Sequence, residues 1–231
     1  MPPSSPSGNL SPALHLRRWF IQAPVTVMLG AALCAVWLVC AFQSGSVLAT
    51  SDSSLARAWM LWGPEMFTGL GFARLIGFLF IHLDIGHIAV NLFLGLLIGR
   101  EIELAIGSAA YFLAWLISGL GSGLAVLFFS PLEPTGGVSG ALYGMMAILV
   151  GLALRRGTDL RSPLALVGVN LVYTFLAPSV SLWGHLGGLA DGTLVAVVLS
   201  IRSSAWRWVG LVALLGAVIA AAFGFISSGG L

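Results

Sequence analysis

Seven long apolar runs, separated by short polar stretches, account for most of this chain. The first is Val25 to Phe42, and the second, Leu75 to Gly99, ends at the charged stop Arg100-Glu101-Ile102-Glu103. The third is Ala109 to Phe129, and the fourth begins at Ser139 and ends at Arg155-Arg156. The remaining three are Leu164 to Ala177, Trp183 to Ile201 and Trp208 to Ile226. No strand-like alternation interrupts them, so each predicts a helix. A spanning helix needs ~20 residues; the fourth and fifth runs fall short. Shielded by neighbours, such helices can start inside the bilayer and leave a water-filled dent above them.

Composition sharpens the pattern into a class. Of 231 residues 58% are hydrophobic and 8% charged, and mean hydropathy is +1.03. Soluble domains carry about 25% charged residues, so this chain is read as an all-α, polytopic membrane protein. The net charge of +2 forms no basic patch, which argues against nucleic acid as a partner. Cys34 and Cys40 lie six apart, a rotation of about 600° on a helix, and are expected to remain unbridged. Residues 1–23, rich in Pro, Ser and Gly up to residue 16, are read as a disordered cytoplasmic N-terminus. The first run lacks the short apolar core and small-residue cleavage site of a signal peptide, and is read as a retained span. The loop Gln43 to Gly71 mixes Trp59 and Trp62 with Asp52, Arg57 and Glu65, a composition that suits either an extramembrane loop or a short interfacial structure.

All ten basic residues are arginines. With the N-terminus cytoplasmic, Arg17, Arg18, Arg100, Arg155, Arg156, Arg161, Arg202 and Arg207 face the cytoplasm, against Arg57 and Arg74 outside. Such a bias sets orientation and brings Ser139 and His185 to the same, outer level.

Ionisable groups at membrane depth are costly and mark function, and three of four histidines (His82, His87, His185) lie in or beside apolar runs. A serine hydroxyl needs an adjacent base to act as a nucleophile. Ser139, between glycines at the mouth of the fourth run, could be only a helix cap; with His185 at matching depth it reads as that nucleophile and His185 as its base. Gly140-x-x-x-Gly144 and Gly184-x-x-x-Gly188-x-x-x-Gly192 give both helices grooves for close approach. Tyr143 shares the face of Ser139 and can pack on the imidazole. Asp191 lies on a different face from His185, so a dyad rather than a triad is expected. Oxyanion donors are each worth about 2.7–4 kcal/mol; His87 and Asn91, four apart on the second helix, and the Ser139 backbone N–H are the candidates. A metal site from His82 and His87 lacks a third ligand. Neither metal nor cofactor is expected.

Together these residues resemble a rhomboid-family intramembrane serine protease. Gly137-Val138-Ser139-Gly140 is similar to the family's GxSG nucleophile motif, with Tyr143 at its stacking tyrosine. Gly184-His185 through Gly188 to Gly192 resembles the general-base motif. His82-x4-His87-x3-Asn91 resembles the second-helix motif, and Glu103-x3-Gly107 the turn at that helix's end. Where many members carry Trp-Arg in the first outer loop, this chain has Ala73-Arg74. The resemblance implies a six-helix catalytic core over residues 24–202 plus one C-terminal helix over 203–231, a six-plus-one arrangement. It also implies cleavage of transmembrane segments of other membrane proteins, entering past the fifth helix, with small residues before the scissile bond. The expected setting is a bacterial inner membrane, in contact with lipid, the site facing outward. The alternative is a catalytically inactive relative that binds and escorts membrane helices; such relatives lack the serine or the histidine. A small transporter would spread its polar residues along a full-depth path, whereas here they cluster near one face. The motifs do not reveal the substrate or oligomeric state, or separate a branch such as the rhombosortases.

Overall fold

In the computed structural model, which describes residues 17, 19–69, 71–177 and 180–228, a helix lies under every apolar run. They are α1 (Pro24–Ser44), α2 (Ser54–Trp59), α3 (Gly71–Gly77), α4 (Ile85–Ile106), α5 (Ser108–Phe129), α6 (Ser139–Arg156), α7 (Arg161–Leu176), α8 (Leu182–Ser200) and α9 (Ser204–Ser227). Among the described residues the only β pairing is a single bridge between Leu61 and Thr135. The chain is an all-α, multi-pass integral membrane protein. Four helices, α1, α5, α8 and α9, are long and apolar enough to cross a bilayer unaided. Bent by 81°, the segments Gly71–Phe80 and Ile85–Ile106 together supply a fifth span. At 18 residues α6 is about 27 Å long, and most of it is sheathed by other helices. Most of the N-terminal stretch read as disordered lies outside the described residues. Residues 19–22 are helical, however, and the Ala23 N–H donates to the Trp19 carbonyl at 2.9 Å.

The second apolar run is not one helix. The chain leaves the helical path at Ile81 and restarts at Ile85. Asp84 is the reason: its carboxylate accepts from the His87 backbone N–H at 2.9 Å and caps α4. His82 therefore precedes the helix, whereas His87 and Asn91 lie on it.

The loop after α1 is folded. It holds α2 and short 3₁₀ turns, and the buried Arg74 gathers it by donating to the carbonyls of Arg57 (3.0 Å) and Met60 (2.7 Å). The same guanidinium lies 3.4 Å from the Glu65 carboxylate. Trp59 packs against Gly77. Cys34 and Cys40 are free, Cys40 buried under this loop with Ala56 and Ile81.

At the other end of α4, the buried Glu103 carboxylate accepts from the backbone N–H groups of Val25 (3.0 Å) and Thr26 (2.8 Å) and from the hydroxyls of Thr26 (2.7 Å) and Ser108 (2.6 Å). It thus neutralises the open N-terminus of α1 and joins α1, α4 and α5. The closest packing in the molecule is among α5, α6 and α8. A Cβ at Gly188 would fall on the Gly140 carbonyl, and one at Gly192 on the Gly144 backbone. Small residues in this register let α6 and α8 lie backbone to backbone, both with their N-termini at the same membrane side.

Candidate active site

Ser139 is the first residue of α6, half-buried. The loop before it is pinned on both sides. Leu61 and Thr135 exchange backbone hydrogen bonds at 2.9 and 2.8 Å, and Gly63 N–H donates to Pro131 carbonyl at 2.8 Å. Gly137 N–H donates to the Phe78 carbonyl at 2.8 Å. Gly137 has φ +138°, in a region that favours glycine. A Cβ there would lie 3.0 Å from both Cε1 and Nε2 of His87. Glycine thus leaves open the space between His87 and Ser139.

His185 comes from the first turn of α8. Ser181 caps that helix by accepting from the Gly184 N–H at 3.1 Å, which fixes where the turn starts. The imidazole is buried, with Nε2 2.8 Å from Ser139 Oγ. The Tyr143 ring lies flat upon it, 4.2 Å between centroids and 12° between planes. On the far edge of the imidazole, Nδ1 is 2.7 Å from Thr174 Oγ1. Thr174 belongs to α7, and the sequence reading did not single it out. Its one signal was Asn170, four residues earlier, making a polar pair on one face of an apolar run.

Ser139 and His185 open onto a cavity of about 120 Å³ lined also by His87, Ser122, Gly136, Gly137, Gly140 and Ser181. A water needs about 10–15 Å³ of such space, so several fit. The N-terminus of α6 points its unpaired backbone N–H groups toward this end. His87 Nδ1 is within 3.4 Å of the Leu83 N–H. Asn91 is not at this cavity: it lines another, between α1, α4 and α5, which also touches Val138 and Leu142. Its amide nitrogen is buried without a hydrogen-bond partner among the described residues. His82 is fully buried edge-on against His87, 4.9 Å between ring centroids. Asp191 turns away from His185 and packs on Gly121 of α5.

A buried imidazole bonded to a serine at a helix N-terminus is an arrangement suited to acyl transfer. Comparison with known proteins decides the ancestry: residues 70–202 match the Rhomboid domain family. The chain belongs to the rhomboid family. It is 30% identical over 136 residues to rhomboid protease GluP of Bacillus subtilis, an overlap of 55% of this chain and 26% of that protein. To the mitochondrial RHOMBOID-like protein 6 of Arabidopsis thaliana it is 29% identical over 168 residues, 69% of this chain and 54% of the relative. With rhomboid protease GlpG of Yersinia pestis it shares 25% identity over 199 residues, 82% and 70% of the two chains. The chain thus spans a quarter to a half of the length of the first two relatives. The match opens at residue 70 and closes at 202, so the rhomboid region includes α3 to α8 and leaves α9 beyond it.

Proposed function

We propose that this rhomboid is an intramembrane serine endopeptidase in which Ser139 is the nucleophile and His185 the general base. The observation that carries the reading is the 2.8 Å approach of His185 Nε2 to Ser139 Oγ, made beside a cavity wide enough for water. Ser139 Oγ attacks the scissile carbonyl carbon while its proton passes to Nε2. The carbonyl oxygen becomes an oxyanion facing His87 and the N-terminal amides of α6; Asn91, expected as a further donor, lines a separate cavity and takes no part in this step. Collapse expels the amine, which takes the proton from Nε2. Water then repeats the cycle on the acyl-enzyme and releases the carboxylic acid.

The substrates are transmembrane segments of other membrane proteins. They enter beside α7, whose side chains are exposed or half-buried apart from Thr174. The arginine distribution supports an outward-facing cavity; in this reading the setting is a bacterial inner membrane, with residues 24–202 as the catalytic core and 203–231 as an added span. The test is cleavage of a reporter transmembrane substrate in liposomes, with covalent labelling by a fluorophosphonate probe. Parent protein is expected to cleave and to be labelled at Ser139, and Ser139→Ala and His185→Ala to do neither. Cleavage by either variant at the parent rate overturns the assignment. A folded parent that neither cleaves nor labels would make this a non-catalytic binder of membrane helices.

A further inference from the structure

The least enclosed helix of the bundle supplies one buried side chain, and that side chain meets the proposed base. Among the described residues of α7 only Thr174 is buried, at 5% exposure, and its Oγ1 is 2.7 Å from His185 Nδ1. The same hydroxyl donates back to the Asn170 carbonyl at 3.0 Å. The Tyr143 hydroxyl, on the ring stacked over His185, reaches both Thr174 Oγ1 and the Asn170 carbonyl. A carbonyl only accepts, so the protons of this chain run toward Asn170. Thr174 spends its single O–H there and offers lone pairs to the ring. In that arrangement the Nδ1 of His185 carries the proton, which leaves Nε2 bare toward Ser139.

We propose that Thr174 is the positioning residue of the general base, standing where a triad would place a carboxylate. It holds His185 in the tautomer that can accept the Ser139 proton, and because α7 carries it, the base is correctly set only while α7 is docked. This rests on the reading of Ser139 and His185 as nucleophile and base. During attack the Ser139 proton moves to Nε2, the Nδ1–H stays on Thr174, and the proton returns to the leaving amine. Thr174 neither gains nor loses a proton over the cycle.

The experiment compares full-length Thr174→Val and Thr174→Ser with parent in liposomes, using the reporter substrate and the fluorophosphonate probe. Valine keeps the shape and removes the oxygen. For Thr174→Val, kcat is expected to fall about ten- to hundredfold with KM within about twofold of parent, the signature of a mis-set base rather than lost substrate binding. Serine restores the oxygen and is expected to recover most of the lost rate. Nitrogen NMR of histidine-labelled parent, with His185 assigned by difference from His185→Ala, is expected to show a protonated Nδ1 and a bare Nε2. Parent-like kcat in Thr174→Val, or a serine variant as slow as the valine one, overturns the proposal. So does an unprotonated Nδ1 in the parent, a readout that holds even where a variant does not fold. A parent that neither cleaves nor labels overturns the protease reading instead, whatever the tautomer.

Discussion

A neutral imidazole has one proton to offer, and at His87 the backbone determines where it sits. Leu83 N–H points at Nδ1 from 3.4 Å, so Nδ1 accepts and Nε2 carries the hydrogen. Nε2 is also the atom 3.0 Å from where a Gly137 Cβ would stand, on the Ser139 side. A donor aimed there meets charge that develops only in the transition state. His87→Ala is therefore expected to lower kcat by about 10²–10³ with little change in KM, since one such donor is worth that much; steady-state kinetics on the reporter substrate checks it. A parallel change in KM would mean that His87 binds ground-state substrate instead. The serine and the histidine stood out in the sequence because their apolar surroundings make an ionisable or nucleophilic group conspicuous. Thr174 did not, because a threonine in a helix is common and its partner lies eleven residues away on another helix.

The distance from Ser139 to His185 is set by glycines on α6 and α8, elements whose closeness is steric rather than attractive. In lipid no hydrophobic force drives helices together, so contact depends on backbones that can touch. Gly188→Ala places a methyl on the Gly140 carbonyl and must spread the pair. Such overpacking is expected to cost about 1–3 kcal/mol and to reduce probe labelling of Ser139, both measurable in detergent. Gly168→Ala is the contrast: that α7 glycine has nothing within 4 Å of its Cβ position. There the change is expected to leave stability equal or raised by about 0.5–1 kcal/mol, the helical preference for alanine. The helices themselves were legible as apolar runs. The break before α4 was not, because Leu75 to Gly99 reads as one apolar run and hydropathy is blind to direction. Its one mark was Asp84, a capping residue at the head of Ile85–Ile106.

At the scale of the whole molecule, the helix beyond the rhomboid match is attached to the same membrane side as the cavity but not to the cavity itself. Near the C-terminal end of α9, Phe225 packs on Phe67 of the first loop at 6.2 Å and on Phe128 of α5 at 5.3 Å. Phe223 meets Phe72 of α3 at 4.4 Å between centroids. The cluster thus ties α9 to α5 and to the loop that pins Thr135, two steps from Ser139. A mechanical role would make that tie a brace; a regulatory one would require it to alter the distance from Ser139 to His185. The geometry favours the brace, because α6 and α8 already hold each other by backbone contact. Phe225→Ala is accordingly expected to cost about 1–3 kcal/mol, less than in water because lipid chains refill part of the gap, while the labelling rate of Ser139 stays within about twofold of parent. The two readouts separate the alternatives: a lowered unfolding midpoint with unchanged labelling is what a brace produces. Slowed labelling at full stability would instead mean that α9 acts on the catalytic pair through the first loop.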